Sequence, residues 1–290
     1  NYNAMPGILR LTDESWEAFT LDFTQGQYAL EIEADPFGFV WIAVDPARGG
    51  GLIVLDPGTG GNVMLNENPG TGALPSRRVF SLASDRDGNL WAGTDAGVCF
   101  FYSPEEDAVR PIFESRFLLK DETITDIEVD GGNRKWMATQ RGVWLFNPAG
   151  DELVHNFTSE NSPLPSNRVY DIAINDQTGE VFFATENGIA SFRAGATVSG
   201  DEFQSITIFP NPVTADYSGS VGMSGLATDA IVKITDINGK LIAELRANGG
   251  TAVWNLLDAR GRRPSTGIYL VFGALADGKE RMVGKIAIID

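Results

Sequence analysis

One cysteine and one histidine are all that 290 residues contain. A lone thiol, Cys99, cannot close a disulfide within the chain. It sits in the middle of an apolar run and reads as a small buried hydrophobe. With His155 as the single imidazole, a zinc site built from Cys and His is excluded by counting. The same shortage argues against enzymes that need several converging bases, and no catalytic residue is assigned. His155 itself reads as a surface or turn residue. Lys and Arg are also in short supply, 22 against 39 Asp and Glu, for a net charge of −17. An acidic surface repels phosphate, which argues against DNA, RNA and anionic membranes as partners. Apolar runs stay far below the ~18–20 residues of a membrane-spanning helix. No basic, apolar leader opens the chain, so any signal peptide is expected to be already removed or to lie outside it.

Known chemical motifs fail in the same way. SGSVG (218–222) lacks the spacing of a nucleophile elbow. The glycine runs at 49–51 and 58–61 are not followed by Lys-Ser/Thr and read as loops rather than phosphate cradles. DRDGN (85–89) resembles the first half of a calcium loop, but the equivalent turns elsewhere lose the second acid and no distal Glu completes the motif. A shared hairpin turn accounts for every copy. No metal or cofactor is therefore assigned. Asn156-Phe-Thr158 is a formal glycosylation triplet and reads as a chance surface match.

What is abundant is repetition. DRDGNLWAGTDAGVCFF (85–101), DGGNRKWMATQRGVWLF (130–146) and DQTGEVFFATENGIASF (176–192) repeat one pattern, and DPFGFVWIAV begins a looser copy at Asp35. The aromatic anchors Trp41, Trp91, Trp136 and Phe182 are spaced by 50, 45 and 46 residues. That period, with a turn, an aromatic and a glycine in each copy, indicates propeller blades, each a small sheet that must stack on its neighbours. In each copy Asp, Asn and Gly make a tight turn, a strand carries the anchor, and Gly97, Gly142 or Gly188 closes the next hairpin. The linkers LPSRRVF (74–80) and LPSNRVY (164–170) also repeat, two blades apart. Four blades and a strand remnant around residues 9–23 are few for a ring of ~4–8 blades, so further blades are expected upstream of Asn1.

Near residue 204 the pattern changes. Residues 1–203 carry 13 basic and 31 acidic side chains, residues 204–290 carry 9 and 8. The small, polar stretch 194–200 reads as a linker. Beyond it, SITIF, SVGMS, AIVKITDI, KLIAELRA, TAVWN, GIYLVFGAL and RMVGKIAII alternate in the manner of short strands. Turns separate them at 210–212, 238–239, 248–250 and 277–278. Seven strands in ~85 residues predict an immunoglobulin-like β-sandwich, with Trp254 as anchor and Leu226, Ile234, Leu241, Tyr269, Val271 and Ile286 in its core. Asn238-Gly239 predicts a type I′ hairpin. The fold expected is all-β, with propeller blades over 1–203 and a sandwich over 204–290.

These residues carry two resemblances. FPNPV (209–213), VKITDINGK, WNLLDARGRRPSTGIYLV and the closing GKIAII resemble the C-terminal sorting domain of the bacterial type IX secretion system. The matching positions are Pro210, Asn211, Pro212, Gly239, Gly267, Tyr269, Gly284 and Lys285. The tail KIAIID has one base, Lys285, and leaves open a cleaved signal or a retained module. The upstream lines GNLWAGTDAG and LPSNRVYDIAIND resemble the two-component regulator propeller family. Together they are similar to surface components of the type IX attachment complex. That similarity implies a non-enzymatic protein, secreted or on the outer-membrane surface after passing the periplasm. The partners implied are secretion and attachment-complex proteins, with lipopolysaccharide or another glycan as ligand. A glycan-sensing extracellular propeller of the two-component type is the alternative, and a propeller enzyme such as a lyase is the weakest reading. Exposed residues beside blade turns that suit a glycan are Phe37, Phe39, Arg77, Arg78, Arg141 and Arg168, although the repeated register of Arg77, Arg78 and Arg168 suits packing between blades equally well.

Overall fold

A computed structural model describes residues 8–11, 16–19, 28–275 and 278–289. The expected remnant at 9–23 falls partly outside them, as do Asp277 and the final Asp290. What is described of the remnant is an antiparallel hairpin, β1 (Ile8–Leu11) with β2 (Trp16–Phe19).

The described chain is all-β, built from small antiparallel sheets, as the periodicity predicts. Blade I contains β3 (Ala29–Ala34), β4 (Val40–Val44), β5 (Leu52–Leu55) and β6 (Asn62–Leu65). Blade II has β7 (Val79–Ser84), β8 (Leu90–Thr94) and β9 (Gly97–Phe101). A small hairpin follows, β10 (Ile112–Phe113) with β11 (Arg116–Phe117). Blade III is β12 (Ile124–Val129), β13 (Lys135–Thr139), β14 (Gly142–Phe146) and β15 (Leu153–Phe157), and blade IV is β16 (Val169–Asn175), β17 (Glu180–Thr185) and β18 (Gly188–Arg193).

The repeats become strands because their turns are held by side chains. Asp35 and Asp85 each accept the N–H groups two and four residues on, while Gly38 and Gly88, three residues on, take positive φ. This is a type I turn with a glycine in the left-handed region, which aligns the flanking strands. At the opposite end of the anchor strands a second device repeats. Thr94, Thr139 and Thr185 donate to the carbonyls of Gly97, Gly142 and Gly188 and accept from the residue between.

Packing runs from blade to blade. Trp41 joins Leu82, Leu90 and Phe101 of blade II in one core, and Trp91 joins Ile127, Met137 and Phe146 of blade III in another. Trp136 stacks against Phe157 and meets Phe183 of blade IV. The fourth anchor departs from expectation: Phe182 is 39% exposed, whereas Phe183 beside it is 2% exposed. Strand alternation puts these two residues on opposite faces, and it is Phe183 that faces Trp136. The other face of blade I, with Ile42, Val44, Ile53 and Leu55, is covered by Phe19 of the first hairpin. Cys99 is fully buried, and burial pushes its thiol up to about 12.

The chain divides into two compact units, one of residues 1–129, 134–173 and 182–190, the other of 130–133, 174–181 and 191–290. In the second, all seven expected segments are strands: β19 (Thr207–Phe209), β20 (Val221–Ser224), β21 (Ile231–Asp236), β22 (Leu241–Arg246), β23 (Thr251–Trp254), β24 (Gly267–Ala274) and β25 (Glu280–Ile288). They form sheets ordered β19-β20-β23 and β22-β21-β24-β25 around one core holding Trp254, Leu226, Ile234, Tyr269, Val271 and Ile286. Leu241 does not join them and is 51% exposed. A register shift between Ile234 and Thr235 turns it outward, and Ile242 packs on the core instead. The Asn-Gly turn is also not type I′: Gly239 alone of the pair has positive φ, and Asp236 accepts from the N–H groups of Asn238 and Lys240. It is the blade turn reused, as is Asp258 with Gly261. The stretch 194–200 is bound rather than free: Thr197 meets Thr251 at 2.8 Å and Ser199 meets Thr228 at 3.0 Å.

Candidate functional site

The innermost strands carry a polar register that repeats with the blades. Glu31, Ser81 and Asp126 each follow a register shift in β3, β7 and β12. Each shift frees a side chain to reach the next blade. Glu31 accepts from the Leu82 backbone, Ser81 Oγ from Ile127 N at 2.9 Å, and Asp126 Oδ2 from Ile172 N at 2.7 Å. Burial pushes Glu31 up to about 7; the Leu82 bond opposes this, and the charges of Asp126, Glu33 and Asp171 add to it. Burial likewise pushes Asp126 up to about 6 against the bonds from Ile172 and Ser81.

The turn aspartates do more than close hairpins. Asp35 Oδ2 accepts from Trp41 Nε1 at 2.8 Å, and Asp85 Oδ2 from Trp91 Nε1 at 2.9 Å. Asp85 Oδ2 also meets Lys135 Nζ of blade III at 3.0 Å. Burial works against the Asp85 carboxylate, but Asn89, Lys135 and Trp91 outweigh it and hold its pKa below the ordinary value. Both oxygens of Asp85, the first acid of the calcium-like run, are thus committed to N–H donors and an ammonium.

The residues expected to suit a glycan do not converge. Antiparallel strands place Phe37 and Phe39, in a β3–β4 turn, at the end opposite Arg77, Arg78, Arg141 and Arg168. Phe37 lies against Gly88 of the next blade turn. Arg77 is bound to Glu67, Arg78 to Asp95, and Arg168 to Gln140 and Glu186. His155 is an exposed residue of β15, 5.4 Å from the Phe157 ring, so it lies in a strand rather than a turn. Asn156 of the glycosylation triplet donates to the Val143 carbonyl.

Arg141 does border a concavity of about 210 Å³ with Trp144, Phe113, Phe117, Arg116 and Lys120. Its charges are mutually paired: Arg141 with Glu122 at 3.0 Å, and Arg116 and Lys120 with Asp121. Burial raises the Glu122 pKa, and Arg141 opposes it. Glu114 and Leu119 on its rim, and Ser115 next to Glu114, have φ of 49°, 51° and 62°. Three non-glycine residues in the left-handed region within six positions mark backbone held against its preference. Trp144 Nε1 is buried with no hydrogen-bond partner among the described residues. An aromatic surface beside forked charged groups suits the face and hydroxyls of a sugar ring. Trp144 was not anticipated; its sequence signal is a second tryptophan in VWLF where the other copies have VCFF and IASF.

In the second unit, most of the motif residues gather at β24, β25 and the run of bends after Phe209. Asn211 Nδ2 donates to the Lys285 carbonyl at 2.8 Å, and Asn211 Oδ1 accepts from Ala287 N at 3.0 Å. Val213, fully buried, continues the pairing with Ala287 and Ile289. A Cβ on Gly284 would stand 2.5 Å from Ile208 Cδ1, so a larger residue there would have to displace the tip of that side chain. Tyr269 pairs with Ile286 and donates to the Ser265 carbonyl at 2.6 Å. Gly239 lies in the turn after β21, whose last residue, Asp236, pairs with Tyr269.

Comparison with known proteins fits this architecture. Residues 73–96, from the linker through the Trp91 strand, match the two-component regulator propeller family. Among solved structures, PorZ of Porphyromonas gingivalis, an essential surface component of the type IX secretion system, superposes with a TM-score of 0.55 at 22% identity. The match covers 99% of this chain and 49% of PorZ, so the chain spans about half the length of that structure. The extracellular domain assigned to a hybrid two-component system of B. thetaiotaomicron gives 0.44 at 15% identity over 90% of this chain and 37% of that one. Comparison with curated proteins yields no match. What the PorZ likeness shows is the fold alone, an all-β, propeller-like chain.

Proposed function

We propose that this chain is a non-enzymatic part of the type IX secretion pathway, a PorZ-like surface or secreted component. Its blades, within residues 1–203, form a binding surface. Residues 204–290 form an immunoglobulin-like sorting domain read by secretion and attachment-complex proteins. The observation that carries this reading is the joining of both modules in one chain: the PorZ superposition runs through 99% of it, blades and sandwich alike. The bonds from Asn211 to Lys285 and Ala287 support it, since they lock two separated parts of the sorting motif together. The ligand proposed for the Trp144 concavity is a glycan, with lipopolysaccharide first. Among the described residues no helix is long and apolar enough to cross a membrane.

Deleting residues 206–290 in a type IX-secreting host tests the reading. The truncated protein should accumulate in the periplasm, out of reach of a membrane-impermeant label on intact cells. Full surface labelling of the truncated protein would sink it. The 73–96 match supports the second reading, a glycan-sensing propeller of a two-component regulator. A gene product continuing into a membrane helix and kinase would favour that alternative.

A further inference from the structure

Blade I has four strands, whereas blade II has three, and its fourth is reduced to a single bridge between Phe100 and Val109. The consequence falls on the facing surface of blade I. Trp41, Val54 and Val63 form one cross-strand row on β4, β5 and β6. Trp41 and Val54 are buried under blade II, but Val63, at the outer end of the row, is 45% exposed. Where an outer strand of blade II would cover it, the chain loops away through residues 104–107. That loop is fixed at a distance by Asp107, which accepts from Gly70 N and Gly72 N.

The gap is a groove of about 690 Å³. Its floor includes Phe39, Val54 and Val63, and its rim carries Asp56, Glu105, Glu106 and Asp107 with no Lys or Arg in the lining. Asp56 is committed to Gly58 N and Thr59, and Asp107 to the glycines. Glu105 and Glu106 are exposed, with no side-chain hydrogen bond or ion pair among the described residues. Along one side runs β6, which among the described residues ends its sheet, next to β5. A terminal strand of the sheet, an apolar floor and two exposed glutamates on the rim are together complementary to one kind of occupant.

The geometry points to this groove as the docking site for an extended, basic segment of a partner protein, which adds as a strand beside β6. Alternate side chains of that segment enter the apolar floor, and the Lys or Arg residues between them meet Glu105 and Glu106. Steric fit supplies the register, and the acids raise the association rate.

The test uses the full chain and a labelled nine-residue peptide alternating Arg with Val, followed by fluorescence anisotropy. Peptides alternating Arg with Ser and Glu with Val are the controls. Both should bind at least about tenfold more weakly, because one lacks the apolar rows and the other repels the rim. Glu105→Gln with Glu106→Gln should weaken the Arg-Val peptide about tenfold, and Val63→Ser about fivefold. Glu152→Gln with Glu244→Gln removes the same charge elsewhere and should leave binding unchanged. Hydrogen exchange should slow in residues 62–65 when peptide is bound. Equal weakening by the two double variants would assign the attraction to the chain's overall charge and overturn the proposal. So would equal binding of the Arg-Ser peptide, or protection elsewhere. A concentration-dependent dimer broken by Val63→Ser and indifferent to peptide would give the groove to a second copy instead.

Discussion

Lys135 places its Nζ 3.0 Å from Asp85 Oδ2, with the two side chains 0% and 1% exposed. The ammonium also donates to the Pro148 carbonyl at 2.8 Å and lies 5.0 Å from the Trp91 ring centre. One turn aspartate therefore fastens its own blade through Trp91 and the next blade through Lys135. Removing one partner strands a buried charge, whereas removing both does not. Lys135→Ala should cost about 3–5 kcal/mol of unfolding free energy. Lys135→Met combined with Asp85→Asn should recover part of it in urea melts, less the bond from Trp91 Nε1 that the amide nitrogen cannot accept. A double variant no more stable than Lys135→Ala would show that packing, not charge pairing, is lost.

The inner strands give a pH dependence of definite sign. Glu31 is pushed from 4.5 up to about 7, and Asp126 from 3.8 up to about 6, in both cases by burial first. A carboxyl whose pKa is raised on folding holds its proton more tightly folded than unfolded. Its contribution to stability is full below the unfolded pKa and is lost as pH rises through the folded one. Asp85 is shifted downward and acts in the opposite sense, losing its contribution as pH falls through the acid range below 3.8. The melting temperature should therefore fall between about pH 4 and 7, the window spanned by these shifts. Glu31→Gln should flatten that slope and raise stability at pH 8. An unchanged slope would mean that Glu31 does not titrate in this range.

The anchors separate interior from exposed positions at adjacent residues. Phe183→Ala should destabilise by about 3–5 kcal/mol, as should Trp91→Ala and Trp136→Ala, because each leaves a cavity between blades. Phe182→Ala, at the repeat position of the tryptophans, should cost less than half as much because its side chain already meets solvent. Chemical denaturation of the four variants checks the order. A Phe182→Ala variant as damaged as Trp91→Ala would place Phe182 in a buried interface.

Architecture was legible in the sequence wherever a local rule decides it. The Asp-x-x-Gly turns, the Thr-x-x-Gly hairpins and the alternating apolar residues each act within a few positions, so the blades and all seven sandwich strands could be read directly. Leu241 and the Asn238-Gly239 turn were misjudged because a bulge changes which face a residue occupies and which turn joins the strands. Ligand residues were less legible. Arg77, Arg78 and Arg168 sit at turns, but their partners, Glu67, Asp95 and Glu186, are brought to them by folding. Signals for the inner register were present: Glu31, Ser81 and Asp126 all stand ten residues before an anchor. Lys135 was visible too, as a charge where the other copies have Val40, Leu90 and Val181. Such signals gain meaning only once the next blade supplies the partner.

The last expectation concerns the seam between Asn211 and β25. Asn211 uses both ends of its amide, donating to Lys285 O and accepting from Ala287 N, in the manner of a backbone unit in a ladder. Aspartate keeps the acceptor and loses the donor, and leucine loses both. A neutral hydrogen bond contributes about 0.5–1.5 kcal/mol, so Asn211→Asp should loosen the seam modestly and Asn211→Leu more. The rest of the sandwich core, centred on Trp254, is untouched by either change, so the fold should persist with a lowered melting temperature. If the machinery reads the Pro210–Pro212 run as Asn211 ties it to β25, surface delivery should fall in the same order, native above Asp above Leu. Trp254→Phe, chosen to lower stability with the seam intact, separates export from stability. Export that follows melting temperature across all three variants would reduce Asn211 to a structural residue. A loss confined to the Asn211 variants would make the seam the recognised feature.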